Sequence, residues 1–155
     1  MLLRRVIPLG LLLMLALGTA QAQNWVGLRT GYPLGVTIHY GIGNMFSPTT
    51  DGRISANLRV RGSNVNFGVG FDVLETVHVE SPFVVYLGGG PALEFGGSGA
   101  LFEVHGLAGG EFVFSDLDLE ELGIFAEFSL GGAIGIGRPS QIPTFGGAVG
   151  FNYRF

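Results

Sequence analysis

GRISANLRVRGSNVNFGVGFDV, residues 52–73, sets arginine and aliphatic side chains at alternate positions. Arg53, Arg59 and Arg61 fall on odd numbers, Ile54, Leu58 and Val60 on even ones. Beyond Gly62-Ser63-Asn64, the residues Val65, Phe67, Val69, Phe71 and Val73 alternate with Asn64, Asn66, Gly68, Gly70 and Asp72. A period of two means two extended strands, each with one apolar and one polar face. Which face meets the solvent, and what that solvent is, decides the fold.

The rhythm persists along the chain and predicts eight strands at 24–32, 35–43, 53–62, 64–74, 83–95, 101–114, 122–134 and 144–155. Turn-formers such as Ser47-Pro48, Ser81-Pro82, Gly96 to Gly99, Ser115-Asp116 and Arg138-Pro139 separate them. Short connections between consecutive strands imply antiparallel, neighbour-to-neighbour pairing. One feature conflicts: Gly88-Gly89-Gly90-Pro91 lies inside the fifth strand, and a closed sheet has no edge for proline. A bulge at Pro91 is the expected resolution.

Residues 1–22 read as a cleavable secretory signal: a basic head ending at Arg5, an apolar stretch from Val6 to Gly18, and Ala20-Gln21-Ala22 at the cleavage site. The apolar stretch falls short of the ~20 residues that a bilayer-spanning helix needs. The folded domain is therefore 23–155, with 12 acidic residues against the arginines that remain after Arg4 and Arg5 are removed. That acidic balance argues against nucleic acid as a partner. All 8 basic residues of the chain are arginine, which excludes a Walker phosphate loop and lysine Schiff-base chemistry. With no cysteine, an exported chain holds itself together without disulfides.

Two all-β architectures share this pattern with opposite polarity. A soluble barrel turns its apolar face inward; an outer-membrane barrel turns it toward lipid. An eight-stranded barrel has an interior only just wide enough for side chains to fill. The 13 phenylalanines and the aliphatics that share their face would overfill it, whereas the opposite face is rich in Gly, Ala, Ser and Thr. The apolar face is expected outside. Arginine on that face would cost ~2–4 kcal/mol near the bilayer midplane, so the arginines belong in the lumen. The same parity supplies them with partners: Arg29, Arg53, Arg59, Arg61 and Arg154 against Asp72, Glu94, Glu103, Glu111 and Glu127. The remaining acids, from Asp51 to Glu121, are expected in turns. A balanced interior suits a plugged barrel rather than an ion-selective pore.

The whole mature chain resembles the small eight-stranded outer-membrane β-barrel proteins, the group around the OmpA transmembrane domain and OmpX. The most specific element is the C-terminal Val149, Phe151, Tyr153 and terminal Phe155, which looks like the family's signal to the barrel-assembly machinery. The resemblance implies a monomer in the outer membrane of a diderm bacterium, inserted from the periplasm, with both termini periplasmic. Outer loops then fall at Tyr32 to Leu34, Gly62 to Asn64, Gly96 to Gly99 and Gly135 to Pro143, with only the last of any length. The family's adhesion and receptor roles depend on longer loops than these.

Chemistry-bearing residues are few. His39 and His105 face the lumen by parity and His78 sits in a turn. The lipid A deacylase family places its serine two residues after a histidine; here Gly41 and Leu107 hold those places. Asp116 to Glu121 lacks the glycine-punctuated spacing of a calcium loop and reads as a solvated turn. Trp25, Tyr32, Tyr40, Tyr153 and Phe155 read as an aromatic girdle. No catalytic residue, metal site or cofactor is expected. The expected function is a non-enzymatic, all-β, eight-stranded antiparallel up-and-down transmembrane barrel with a charge-plugged lumen, contributing to envelope integrity in contact with outer-membrane lipid. The alternatives are a barrel enzyme or transporter acting on lipids or small apolar molecules, and an exported soluble lipocalin-like binder.

Overall fold

A computed structural model describes residues 23–61, 64–97, 99–114 and 119–155, without the side chains of Arg61 and Glu120. The expected signal segment, the Gly62-Ser63 turn, Asp116 and Asp118 lie outside the described residues. Eight strands run in order: β1 (Trp25–Tyr32), β2 (Gly35–Ser47), β3 (Thr50–Arg61), β4 (Asn64–Glu80), β5 (Phe83–Gly96), β6 (Gly99–Phe114), β7 (Leu119–Ile136) and β8 (Gln141–Arg154). Each pairs antiparallel with its neighbour in sequence, and β8 returns to β1, closing the barrel. At that seam Trp25 lies opposite Arg154 and Tyr32 opposite Gly147.

Several strands are longer than the alternation suggests. β2 continues to Ser47, β4 to Glu80, β7 runs from Leu119 to Ile136, and β8 begins at Gln141. The cause is register shifts, between Ile42 and Ser47, Thr76 and His78, Val113 and Phe114, and Gly131 and Ala133. A bulge resets which parity faces which way, so a strand continues past it while its alternation breaks. Asp51, Glu75, Glu80, Glu121 and His78 therefore lie in strands, not turns, all toward the end that carries the termini. The Gly135 to Pro143 loop shrinks to the connection 137–140.

The expected bulge at Pro91 is absent. Gly70 pairs with Ala92 and Val73 with Gly89 in one unbroken register; only the two intervening pairs are missing. The ladder lapses toward β4 where proline has no N–H to give, while Pro91 stays paired with Val104 of β6. Gly90 admits the approach this requires: a Cβ there would stand 1.9 Å from the Phe71 carbonyl oxygen. In the two-residue hairpin between paired Gly96 and Gly99, Gly97 takes φ +61°, the left-handed region such turns demand.

The strands are tilted. Cross-strand partners lead from Tyr32 through Gly147, Phe128, Ala108, Leu87 and Glu75 to Thr50. That path leaves β1 at the end far from the termini and reaches β3 at the end near them, the stagger of a tilted closed sheet. β1 is also short. It stops at Tyr32, so the β8 residues before Gly147 have no β1 partner. The wall is lowest over the Pro33-Leu34 turn.

Candidate functional site

Alternation sorts the side chains as strand geometry requires. Ile38, Leu58, Val65 and Ile134 are more than half exposed on the outer face, whereas Arg53 is 2 % exposed and Asp72 1 %. The polar face lines the lumen. Some apolar side chains join it: Trp25, Leu74, Tyr86 and Leu107 form a buried cluster, and Phe125 packs edge-on against His39 at 5.6 Å. Trp25 is thus a lumenal residue and not part of a girdle. Its ring lies across Gly41, where a Cβ would meet it at 1.9 Å. Tyr40 is likewise buried, while Tyr32, Tyr153 and Phe155 are exposed.

The lumenal charges fall into three layers along the axis. Nearest the termini, Arg154 Nη2 donates to Glu111 at 2.5 Å. Asn152 also donates to Glu111, at 3.1 Å, and its Oδ1 lies 2.8 Å from His39 Nε2. The middle layer centres on Arg53, whose guanidinium donates to Asp72 at 2.9 Å and to Glu127. Arg29 also reaches Glu127, the Tyr86 hydroxyl donates to it at 2.8 Å, and His105 Nε2 stands 3.0 Å from Asp72. In the far layer Arg59 meets Glu94 at 3.2 Å and Glu103 at 3.7 Å. Asn66 donates to Glu94 and Thr144 to Glu103.

Of the ten charged residues singled out by parity, nine take part in these layers; the Arg61 side chain lies outside the described ones. Arg29, Arg53, Asp72 and Glu127 come together, as do Arg59, Glu94 and Glu103, and as do Arg154 and Glu111. Arg138 adds a member that loop placement had hidden, 3.6 Å from Glu94. Tyr86, Asn66, Asn152 and His105 were legible as polar-face residues, but their partners were not. Fixed carboxylates held by guanidinium forks are strong hydrogen-bonding arrangements with little room to move.

Two cavities flank the middle layer. One of about 230 Å³ lies between it and the far layer, walled by Arg29, Glu127, Arg59, Glu103, Ser55 and Ser129 among others. Another of about 450 Å³ opens toward the termini, beside Trp25, Asp51, Leu74, Tyr86, Glu111 and Arg154. Ser55, Ser129 and His105 line the first cavity, and His105 pairs with Asp72, which raises the question of a hydrolytic triad. His105 Nδ1 has no hydrogen-bond partner, so neither serine is joined to it as an activated nucleophile. Exposed His78 lies 3.4 Å from Glu80, away from the lumen. Among the described residues, no group of His, Asp and Glu is arranged to hold a metal ion.

Solved structures share this architecture. The N-terminal β-barrel domain of Pseudomonas aeruginosa OprF superposes with a TM-score of 0.56 at 15% identity, covering 86% of this chain and 96% of that one. Neisserial surface protein A (NspA) gives 0.52 at 10% identity, covering 86% and 94%. Neither a family model nor a curated protein sequence matches the chain.

Proposed function

We propose that this chain is a small integral protein of the outer membrane, exported by way of residues 1–22 and serving envelope integrity as a plugged, non-enzymatic barrel. One observation carries the reading: the closed sheet has its apolar face outside and its ion pairs inside. Exposed apolar area on this scale far exceeds the few hundred Å² typical of the largest patch on a soluble monomer. A soluble lipocalin-like barrel requires the reverse polarity. Lipid is the medium in which such an outer face costs nothing and the charged lumen is favoured.

The layers support the plug. Arg53, Asp72, Glu127 and Tyr86 lie in the narrow lumen beside the Trp25–Leu74–Leu107 cluster, and the interior of an eight-stranded barrel is only just wide enough for side chains to fill. Lipid is the proposed partner along the outer face, with the chain a monomer. Val149, Phe151, Tyr153 and Phe155 present an outward apolar row on the last strand, the surface proposed to engage the assembly machinery. Cell fractionation tests membrane residence. The mature protein should sediment with outer membranes and need detergent for extraction. Recovery of folded, detergent-free monomer from the periplasm would overturn the proposal.

A further inference from the structure

The smaller cavity has a composition unlike the rest of the lumen. Along β3 the inward residues read Arg53, Ser55, Asn57, Arg59: charge, hydroxyl, amide, charge. β4 reads Asp72, Gly70, Gly68, Asn66, and β5 reads Gly90, Ala92, Glu94. Between the middle and far charge layers, β3, β4 and β5 thus line the cavity with the small, uncharged Ser55, Asn57, Gly70 and Ala92, while Arg29, Arg59, Glu103 and Glu127 bound it. Thr37, Ser55 and Asn57 are buried there, and Asn57 Oδ1 has no hydrogen-bond partner in the protein. The bounding charges satisfy one another: Arg29 with Glu127, and Arg59 with Glu94 and Glu103, while His105 Nε2 stands 3.0 Å from Asp72.

We infer that this chamber is a binding site for a small uncharged polyol, of sugar type. Three features select that chemistry. An ion would have to break existing pairs to be neutralised, which is costly in a narrow lumen. An apolar solute would leave the hydroxyls and amide of the wall unsatisfied. A polyol meets neutral donors and acceptors with neutral donors and acceptors. The size agrees: about 230 Å³ lies below the roughly 300–1,000 Å³ of sites for drug-sized ligands and above the ~30 Å³ share of one water. Access is over the low lip at the end of β1. Tyr32, Pro33 and Phe145 line the same cavity from that side, with Tyr32 74 % exposed, so aromatic faces stand where a sugar ring would enter. The polyol can come free from solution or as the head of a glycolipid in the adjoining leaflet.

The test is backbone amide NMR of the full mature barrel in phosphocholine micelles, titrated with glucose, and in nanodiscs containing a glucosyl-headed lipid. Saturable shifts at Ser55, Asn57, Gly70 and Ser129 are expected. Shifts with free glucose identify the soluble source; shifts with the glycolipid alone identify the headgroup source. Ala92→Leu fills the chamber without touching a charge and should abolish the response while the rest of the spectrum keeps its folded dispersion. Should that variant lose its dispersion, Ser129→Ala, which removes a hydroxyl without adding volume, should weaken the response. Absence of saturable shifts with either probe, or shifts indifferent to the substitution in a folded variant, would overturn the inference and leave a chamber for water alone.

Discussion

Replacing Arg53 by methionine probes the middle layer where it is driest. The guanidinium is 2 % exposed and serves two carboxylates, Asp72 at 2.9 Å and Glu127. Methionine keeps much of the volume but leaves both acids short of their cation. Glu127 still has Arg29 and the Tyr86 hydroxyl; among the described residues Asp72 keeps only His105, at 3.0 Å. Breaking a buried pair by removing one partner costs ~3–5 kcal/mol, because an uncompensated charge stays behind. The loss should therefore lie in that range, and Asp72→Asn on the same background should recover part of it. Arg59→Met should cost less, since Arg59 lies in the far layer nearer solvent and is part-exposed. Reversible urea unfolding from lipid vesicles measures all of these. A loss for Arg53→Met of under ~1 kcal/mol, the level of exposed ion pairs, would refute the reasoning, since it would mean the middle layer is solvated.

Three further outcomes are expected. Leu58 faces outward at 55 % exposure, so Leu58→Arg should cost ~2–4 kcal/mol if it sits near the midplane. Leu58→Ala should be milder in the same assay, and the opposite order would mean that the face is buried in protein. Planar-bilayer recordings should show negligible conductance, and stable large channels would contradict the plug. Phe155→Ala, which keeps the backbone bond to Asn24, should lower the yield of assembled barrel in cells more than it lowers the refolded protein's unfolding midpoint, so equal yields would remove the proposed assembly role.

The barrel was legible in the sequence because alternation is a local signal and this chain keeps it for long runs. Residues 52–73 alone give two strands, their faces and their turn. The same parity sorted the charges, as Arg53 and Asp72 show: they face each other across the β3–β4 ladder. What escaped were features that parity cannot carry. The bulge at Thr76 and His78 hid the end of β4, and Arg138 is a loop residue that nothing local in the sequence aims at Glu94. Trp25 was read by chemistry as an interfacial ring although its odd number put it inside, where Gly41, its partner across the β1–β2 ladder, makes room for it. The layering of Arg59 with Glu94 and Glu103 depends on strand stagger, which no single strand records.

The closing seam has a consequence for how the ring comes to exist. Seven of the eight pairings join strands next to each other in sequence, but β1 and β8 come from opposite ends of the domain. Phe155 N–H donates to the Asn24 carbonyl at 2.9 Å, so the final residue bonds to one of the first described. Bringing such distant segments together costs on the order of 3 kcal/mol more chain entropy than closing a hairpin of a few residues. Until that is offset, two strand edges stand open, and an open edge in hydrocarbon leaves N–H and C=O groups with nothing to bond. A half-built sheet therefore has no stable place in the bilayer. For a chain that enters a bilayer as proposed, closure of the seam and entry are coupled, and the shortest strand, β1, forms one edge of that seam.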